Sequence, residues 1–442
     1  MQMSRLLDVA GPPLVTTPAT HAKRRVRFLV LQIFALVYLQ KFAIGGTGTQ
    51  LSIPMLMMIG GIAWLLVSGD LFFVPIRLAT YFVFISLCLV SQILNGAAGS
   101  IMSVLYLVVL YSFMTVAMEI GEADYRYVLD KFVMFMIVPA IIILIQYGYQ
   151  KATGRPDPID MDTTLPKGVL LQGFMYAAHY PWNSTFSRPN GFFFLEPSYA
   201  SAFTAMAVVI ELLYFKRFLI VGLMLLATVF SLGGTGMMLL VIAAPIILAR
   251  QSARFAILVI TTVVLAVLIA YVMGLPLPLV SRLGELHSAN TSGTARLLRP
   301  AMLFVSRIMD PTFLFSGAGA GAVSLQTGFA QGLEVSPWPV VKLLDEYGFL
   351  AMVAFLVFYM CGIVRTANVA LAVPLSIIYH FTASYLLMPI MVEMLVLFCF
   401  IVAPMKPVSQ RLQPAPGSAP VRAARGLPPA RPVQPGLRWR PP

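Results

Sequence analysis

Apolar stretches about as long as a membrane is thick recur along nearly the whole of this chain, separated by short polar turns. A helix rises about 1.5 Å per residue, so crossing a ~30 Å hydrocarbon layer takes about 20 residues. Runs that meet or approach this length occupy 28–44, 51–68, 76–94, 99–118, 132–149, 198–215, 254–273, 347–363 and 370–387. Residues 218–249 are too long for one crossing and are interrupted by Ser231-Leu-Gly-Gly-Thr-Gly236, which predicts two short helices there. Residues 370–404 divide in the same way near Pro389. The pattern predicts an all-α polytopic integral membrane protein of about twelve transmembrane helices.

The polar remainder divides into four parts. A basic segment, 1–27, precedes the membrane domain 28–404, and no cleavable signal peptide is expected because the first apolar run lacks a small-residue cleavage pattern. Two long loops, about 150–197 and 274–346, interrupt that domain. Loops of such length are functional or unstructured, and the aromatics Trp182, Phe192 to Phe194 and Trp338 argue for structure. Residues 405–442 are rich in Pro, Ala, Gly and Arg and cannot bury a core; they read as a disordered basic tail.

Charge placement orients the chain. With both termini cytoplasmic, twenty of the thirty Lys and Arg fall on cytoplasmic segments, and both long loops face outward. The short outward turns 45–50, 95–98 and 231–236 carry no basic residue. The net charge of +13 therefore reflects membrane orientation, and with 59% hydrophobic and only 11% charged residues a nucleic-acid partner is not expected. Cys88, Cys361 and Cys399 all sit within apolar runs, so no disulfide framework or paired-cysteine metal site is predicted. His179 and His287 lack a second ligand at metal spacing, and neither a metal nor another cofactor is expected.

The densest chemistry lies in Arg188-Pro-Asn-Gly-Phe-Phe-Phe-Leu-Glu-Pro-Ser198. Pro189-Asn190-Gly191 is turn chemistry, and Pro197 suits the first position of a helix with Glu196 just outside it. One reading makes Glu196 a charge complement to the helix N-terminus and Arg188 an interfacial anchor. The other makes Glu196 a general base and Arg188 a phosphate ligand. The second loop contributes Arg282, Arg296, Arg299, Arg307 and Lys342. Arg296 and Arg299 share a face if 294–300 is helical, and suit either lipid head groups or a diphosphate. Gly317-Ala-Gly-Ala-Gly321 does not open a helix after a strand, so it reads as a close-packed turn rather than a dinucleotide cradle. Asp345-Glu346-Tyr347-Gly348 is expected to open the tenth span with acidic charge at its start. Within the membrane, Glu211 is expected to snorkel to the nearby edge; His380 and Glu393 fit either an ion pathway or structural pairing.

Taken in order, these features resemble the bacterial Wzy-type polysaccharide polymerase and O-antigen ligase superfamily, closest to the exopolysaccharide polymerases of xanthan- or acetan-like pathways. The resemblance covers about 28–404 and rests most on Arg188-Pro-Asn-Gly191 followed by Glu196-Pro-Ser198. Ser231 to Gly236, Arg296 with Gly317-Ala-Gly319, and Lys342 to Gly348 are similar to further family segments. Ser336-Pro-Trp338 stands where many relatives carry a histidine, which turns attention to Glu196 as base.

The resemblance implies a GT-C-like architecture in the bacterial inner membrane with periplasmic loops, and a polyprenyl-diphosphate-linked oligosaccharide as substrate. It implies metal-independent glycosyl transfer joining repeat units into exopolysaccharide. Glu196, Arg188 and Arg296 would be catalytic; Arg299, Arg282, Lys342, Tyr199, Ser198 and Thr235 would bind substrate. Membrane lipids and a chain-length or export complex would be its partners. The alternatives are a ligase of the same superfamily and a lipid-linked oligosaccharide flippase. A flippase should show repeated halves and mid-membrane charges, whereas the polar residues here collect in two loops.

Overall fold

The computed structural model describes residues 19–45, 50–96, 99–155, 165–166, 168–174, 186–251, 294–313, 315–322, 337–364, 366, 368–382 and 385–403. The predicted span 254–273, the basic tail, Arg282, Trp182, His179, His287 and Ser336 lie outside them.

The described residues are mostly helical. In chain order the helices are α1 (Ala19–Tyr38), α2 (Ile53–Val67), α3 (Pro75–Asn95), α4 (Ile101–Ser112), α5 (Glu122–Thr153), α6 (Pro197–Ile210), α7 (Phe218–Phe230), α8 (Gly234–Arg250), α9 (Arg299–Ile308), α10 (Pro339–Ile363), α11 (Val369–Phe381) and α12 (Pro389–Leu395). Wider turns extend α6 over Glu211–Phe215 and α12 over Val396–Phe400. Among the described residues four helices are long and apolar enough to cross a membrane: α3, α5, α6 with its extension, and α10. Shorter apolar helices fill most of the remainder, including the two expected on either side of 231–236.

Local chemistry sets the boundaries. Proline stands in the first turn of α2, α3, α6, α9, α10 and α12, where its missing N–H costs nothing. Ser52 and Ser100 cap α2 and α4, accepting hydrogen bonds from Met55 N (3.4 Å) and Ser103 N (3.3 Å). Gly154, at φ 64°, ends α5 in the left-handed conformation.

Connections gather at two ends of the bundle. At the long-loop end, β1 (Ala43–Ile44) pairs antiparallel with β2 (Leu51–Ser52), and Phe42 bridges to Leu170. There Ser91 and Asn95, at the end of α3, donate to the Ser316 carbonyl. At the short-turn end, β3 (Phe72–Phe73) pairs with β4 (Val116–Ala117), and Met118 bridges to Val402. Asp70, buried at that end, gathers His21 (2.7 Å), Arg24 (3.2 Å) and Arg25 (3.4 Å), fastening the start of α1 to the α2–α3 turn. Buried Arg77 donates to the carbonyls of Phe400 (2.7 Å) and Gly362 (3.4 Å), joining α3 to the ends of two other helices.

The centre is α6. Every residue from Tyr199 to Ile210 is buried, so this helix is enclosed all round by protein. Thr228 in α7 donates to Thr204 in α6 (2.9 Å), an interhelical bond that satisfies both hydroxyls away from water. Glu211 does not snorkel: it is fully buried and accepts from the Arg217 side chain (Nε to Oε1, 3.0 Å) and from Arg217 N (3.2 Å). A buried carboxylate is costly without compensating charge, and Arg217 supplies it while also reaching Asp130 (2.7 Å).

α10 is two helical segments joined at a break at Gly348 (φ 86°, ψ 172°): a short one from Pro339, which ends on Asp345, Glu346 and Tyr347, and the apolar one that follows, so acidic charge precedes that apolar segment. The glycine turn explains the break. Ala318 N and Gly319 N donate to the Asp345 and Glu346 carbonyls (2.7 and 3.0 Å), which the helix interruption leaves open. A Cβ on Gly317 would lie 2.6 Å from the Tyr347 nitrogen, so only glycine lets the turn approach. The run is a close-packed turn, as its sequence context indicates.

Candidate functional site

The site is built on the N-terminus of α6 at the long-loop end. Glu196 is the N-cap residue, extended at φ −146° and ψ 159°, and Pro197 is the first helical residue. The Ser198 hydroxyl donates to Glu196 Oε2 (3.1 Å), which turns the carboxylate along the helix start. The preceding turn has two residues of positive φ, Gly191 (65°) and Phe192 (68°). Phe192 tolerates this conformation because Asn190 Oδ1 accepts its N–H (2.9 Å) in a local turn.

Three glutamines pin this turn, and sequence reasoning missed them. Gln150 pairs with Ser187 in both directions, accepting from its N–H (2.8 Å) and donating to its carbonyl (2.9 Å). Gln146, one turn earlier on α5, accepts from Gly191 N (2.9 Å); Gln40, just beyond α1, accepts from Leu195 N (3.3 Å). All three are buried. An amide can donate and accept at once, so a single side chain can satisfy both backbone groups of a residue in this turn. The signal lay in the sequence as amides within apolar runs, two of them four apart, but nothing local names their partners. Arg188 is half-buried between Ser187 and the buried Pro189. Lys41, also buried, has its ammonium 6.0 Å from the Phe192 ring centre.

The second loop meets this start through Tyr199. Its hydroxyl lies within electrostatic reach of both Glu196 and Arg296, and of Tyr385 and Tyr106. The Tyr199 ring packs near Tyr385 (centroids 6.3 Å apart) and Phe174 (6.2 Å). Arg296 sits in a wide turn over Thr294–Leu298 ahead of α9, held by a hydrogen bond from Trp338 Nε1 to its carbonyl (2.7 Å). Trp338 thus positions an arginine and packs edge-on against Phe381 (5.3 Å).

Of the sequence-predicted residues, the structure brings Glu196, Ser198, Tyr199 and Arg296 to one place. Thr235 is buried beside them: the 231–236 break packs on the first turns of α6, with Gly236 N donating to Ser201 Oγ (3.1 Å). Arg299 begins α9, half-buried, three residues from Arg296. Lys342 stands one turn into α10, 3.7 Å from buried Glu346, and serves as that carboxylate's counter-charge. Arg307 pairs with Asp345, and its guanidinium lies 4.3 Å from the Phe313 ring centre. Beyond α9, hydrogen bonds from the hydroxyl and N–H of Thr312 hold the Asp310 carboxyl below the usual range.

Of the two intramembrane groups left open, Glu393 is fully buried and accepts from Gln32 Nε2 (3.0 Å), while His380 lies among Tyr359, Tyr379 and Phe355. Among the described residues no group of three or more His, Cys, Asp or Glu is placed to hold a metal ion. No family model, no curated protein and no solved structure matches this chain.

A carboxylate and a guanidinium from different loops, both within electrostatic reach of one buried tyrosine, can divide the work of a displacement. The carboxylate accepts a proton from an attacking hydroxyl; the guanidinium binds the anion that leaves.

Proposed function

We propose that this chain is an integral membrane glycosyltransferase that joins polyprenyl-diphosphate-linked oligosaccharide repeat units into a polysaccharide. In this reading the chain crosses a bacterial inner membrane about twelve times in a GT-C-like arrangement, with both termini cytoplasmic and the site on the outer face. The observation that carries it is the Glu196 carboxylate at the N-cap of an enclosed helix, with Arg296 of the second long loop in electrostatic reach of that helix's first turn.

An acceptor hydroxyl attacks the anomeric carbon of the donor, and the bond from that carbon to the diphosphate oxygen breaks. The diphosphate leaves with the bonding electrons, and the acceptor proton passes to Glu196. Arg296, with Arg188 and Arg299, binds the departing charge, where guanidinium forks match phosphate oxygens. Ser198, Tyr199 and Thr235 line the helix starts beside the reacting groups, and Lys342 and Arg282 belong to the same basic loop. A chain-length or export complex would take up the polymer. The reading is tested by expressing Glu196→Gln and Arg296→Ala in cells lacking the native gene. Polymer is lost at normal membrane abundance if it is right; full polymer from both variants contradicts it.

A further inference from the structure

We propose that α9 lies in the plane of the membrane interface at the long-loop end, with its exposed stripe seated in the acyl chains of the adjoining lipid leaflet. The inference is independent of the proposed chemistry, because lipid contact requires no substrate.

Leu298, Met302, Val305 and Met309 follow one another at helical spacing, and all are exposed, Met302 by 71% and Met309 by 79%. Phe315, 70% exposed, continues the apolar surface beyond the helix. The other side of α9 is already committed. Pro300 is buried, Phe304 packs on the core, and Arg307 is tied to Asp345 of α10. The helix therefore cannot roll its stripe inward without breaking that ion pair.

Its neighbour indicates what covers the stripe. α10 is one of the helices long and apolar enough to span, and its outward residues Leu350, Val353, Val357 and Met360 are exposed at helical spacing. In a membrane that face meets acyl chains. α9 is fastened beside the head of α10, where the hydrocarbon gives way to head groups. Exposed Ser306 borders the stripe and Arg307 lies behind it, so polar and apolar side chains part along the helix as they do on one lying in the membrane interface. A docked soluble protein would need a broader apolar patch with a polar rim of its own.

Val305 and Ser306 are successive residues and point roughly 100° apart, so they separate the two environments. The full chain carrying Val305→Cys or Ser306→Cys, with Cys361 replaced by alanine, is labelled with bimane; Cys88 and Cys399 are buried. It is then reconstituted into phosphatidylcholine–phosphatidylglycerol vesicles. At position 305 the label should be quenched by nitroxide-bearing acyl chains and spared by aqueous iodide, and at 306 iodide should dominate. Should Val305→Cys fail to fold, Met302→Cys takes its place. Equal iodide quenching at 305 and 306 without nitroxide quenching overturns the proposal. Shielding of 305 from both quenchers also overturns it, since protein would then cover the stripe.

Discussion

Gly236 donates its backbone N–H to the Ser201 hydroxyl across 3.1 Å, and a Cβ on Gly236 would lie only 2.1 Å from the Ser201 carbonyl oxygen. The contact presses the start of α8 onto α6, one turn beyond Glu196. Because the obstacle is backbone, it cannot swing away. Gly236→Ala should destabilise the protein by about 1–3 kcal/mol through overpacking. Gly234, two residues earlier, has open space at its Cβ position, so Gly234→Ala should leave stability unchanged. Thermal-shift measurements on detergent-purified protein distinguish the two; equal melting points would contradict this packing.

The turn before α6 depends on Gln150. Gln150→Leu keeps much of the volume but removes both hydrogen bonds that the amide makes with the Ser187 backbone. Each lost hydrogen bond costs about 0.5–1.5 kcal/mol. The variant should show faster proteolysis near 187–195 in limited digestion, read by mass spectrometry, with little change elsewhere.

Much of this was legible in the sequence, and the reasons are specific. Apolar runs at membrane length gave the helices, and Gly233 and Gly236 gave the break between α7 and α8. Pro197 gave the first residue of α6 and placed Glu196 at its cap. The glutamines were illegible because their partners lie 37 to 155 residues away, set by packing rather than by spacing. Asp345 and Glu346 do precede the apolar segment that follows Gly348, but the short helix that carries them, from Pro339, and the packing of Gly317 from another loop against its end were not legible. Lys342 and Glu346 are four residues apart and meet once a helix forms across them, which a reading that places Lys342 in a loop does not anticipate.

Asp70 should prove essential to the short-turn end. It is buried and faces Arg24, Arg25 and His21, so Asp70→Ala leaves the buried Arg25 guanidinium without its carboxylate. Breaking one side of a buried pair costs about 3–5 kcal/mol. Membrane yield should fall sharply, whereas Arg24→Ala, at the more exposed partner, should be mild. Similar yields from both variants would contradict the arrangement.

Tyr199→Phe tests the meeting of the two loops without removing a charge. The ring keeps its packing on Tyr385 and Phe174, so folding should be unchanged. Loss of a hydroxyl within electrostatic reach of Glu196 and Arg296 should lower turnover about tenfold, the effect of roughly 1.4 kcal/mol on the barrier. Glu196→Gln should lower it further, by about 10²–10⁴, as loss of a general base does.

Glycosyl transfer between lipid-linked units at the head of α6, as proposed, can be observed directly. The direct measurement incubates the purified, reconstituted protein with polyprenyl-diphosphate-linked repeat units and resolves the products by size. A ladder of polymers spaced by one repeat unit, absent with Glu196→Gln, is the predicted result. Recovery of the units unjoined, or their transfer once to a foreign acceptor without a ladder, would contradict it.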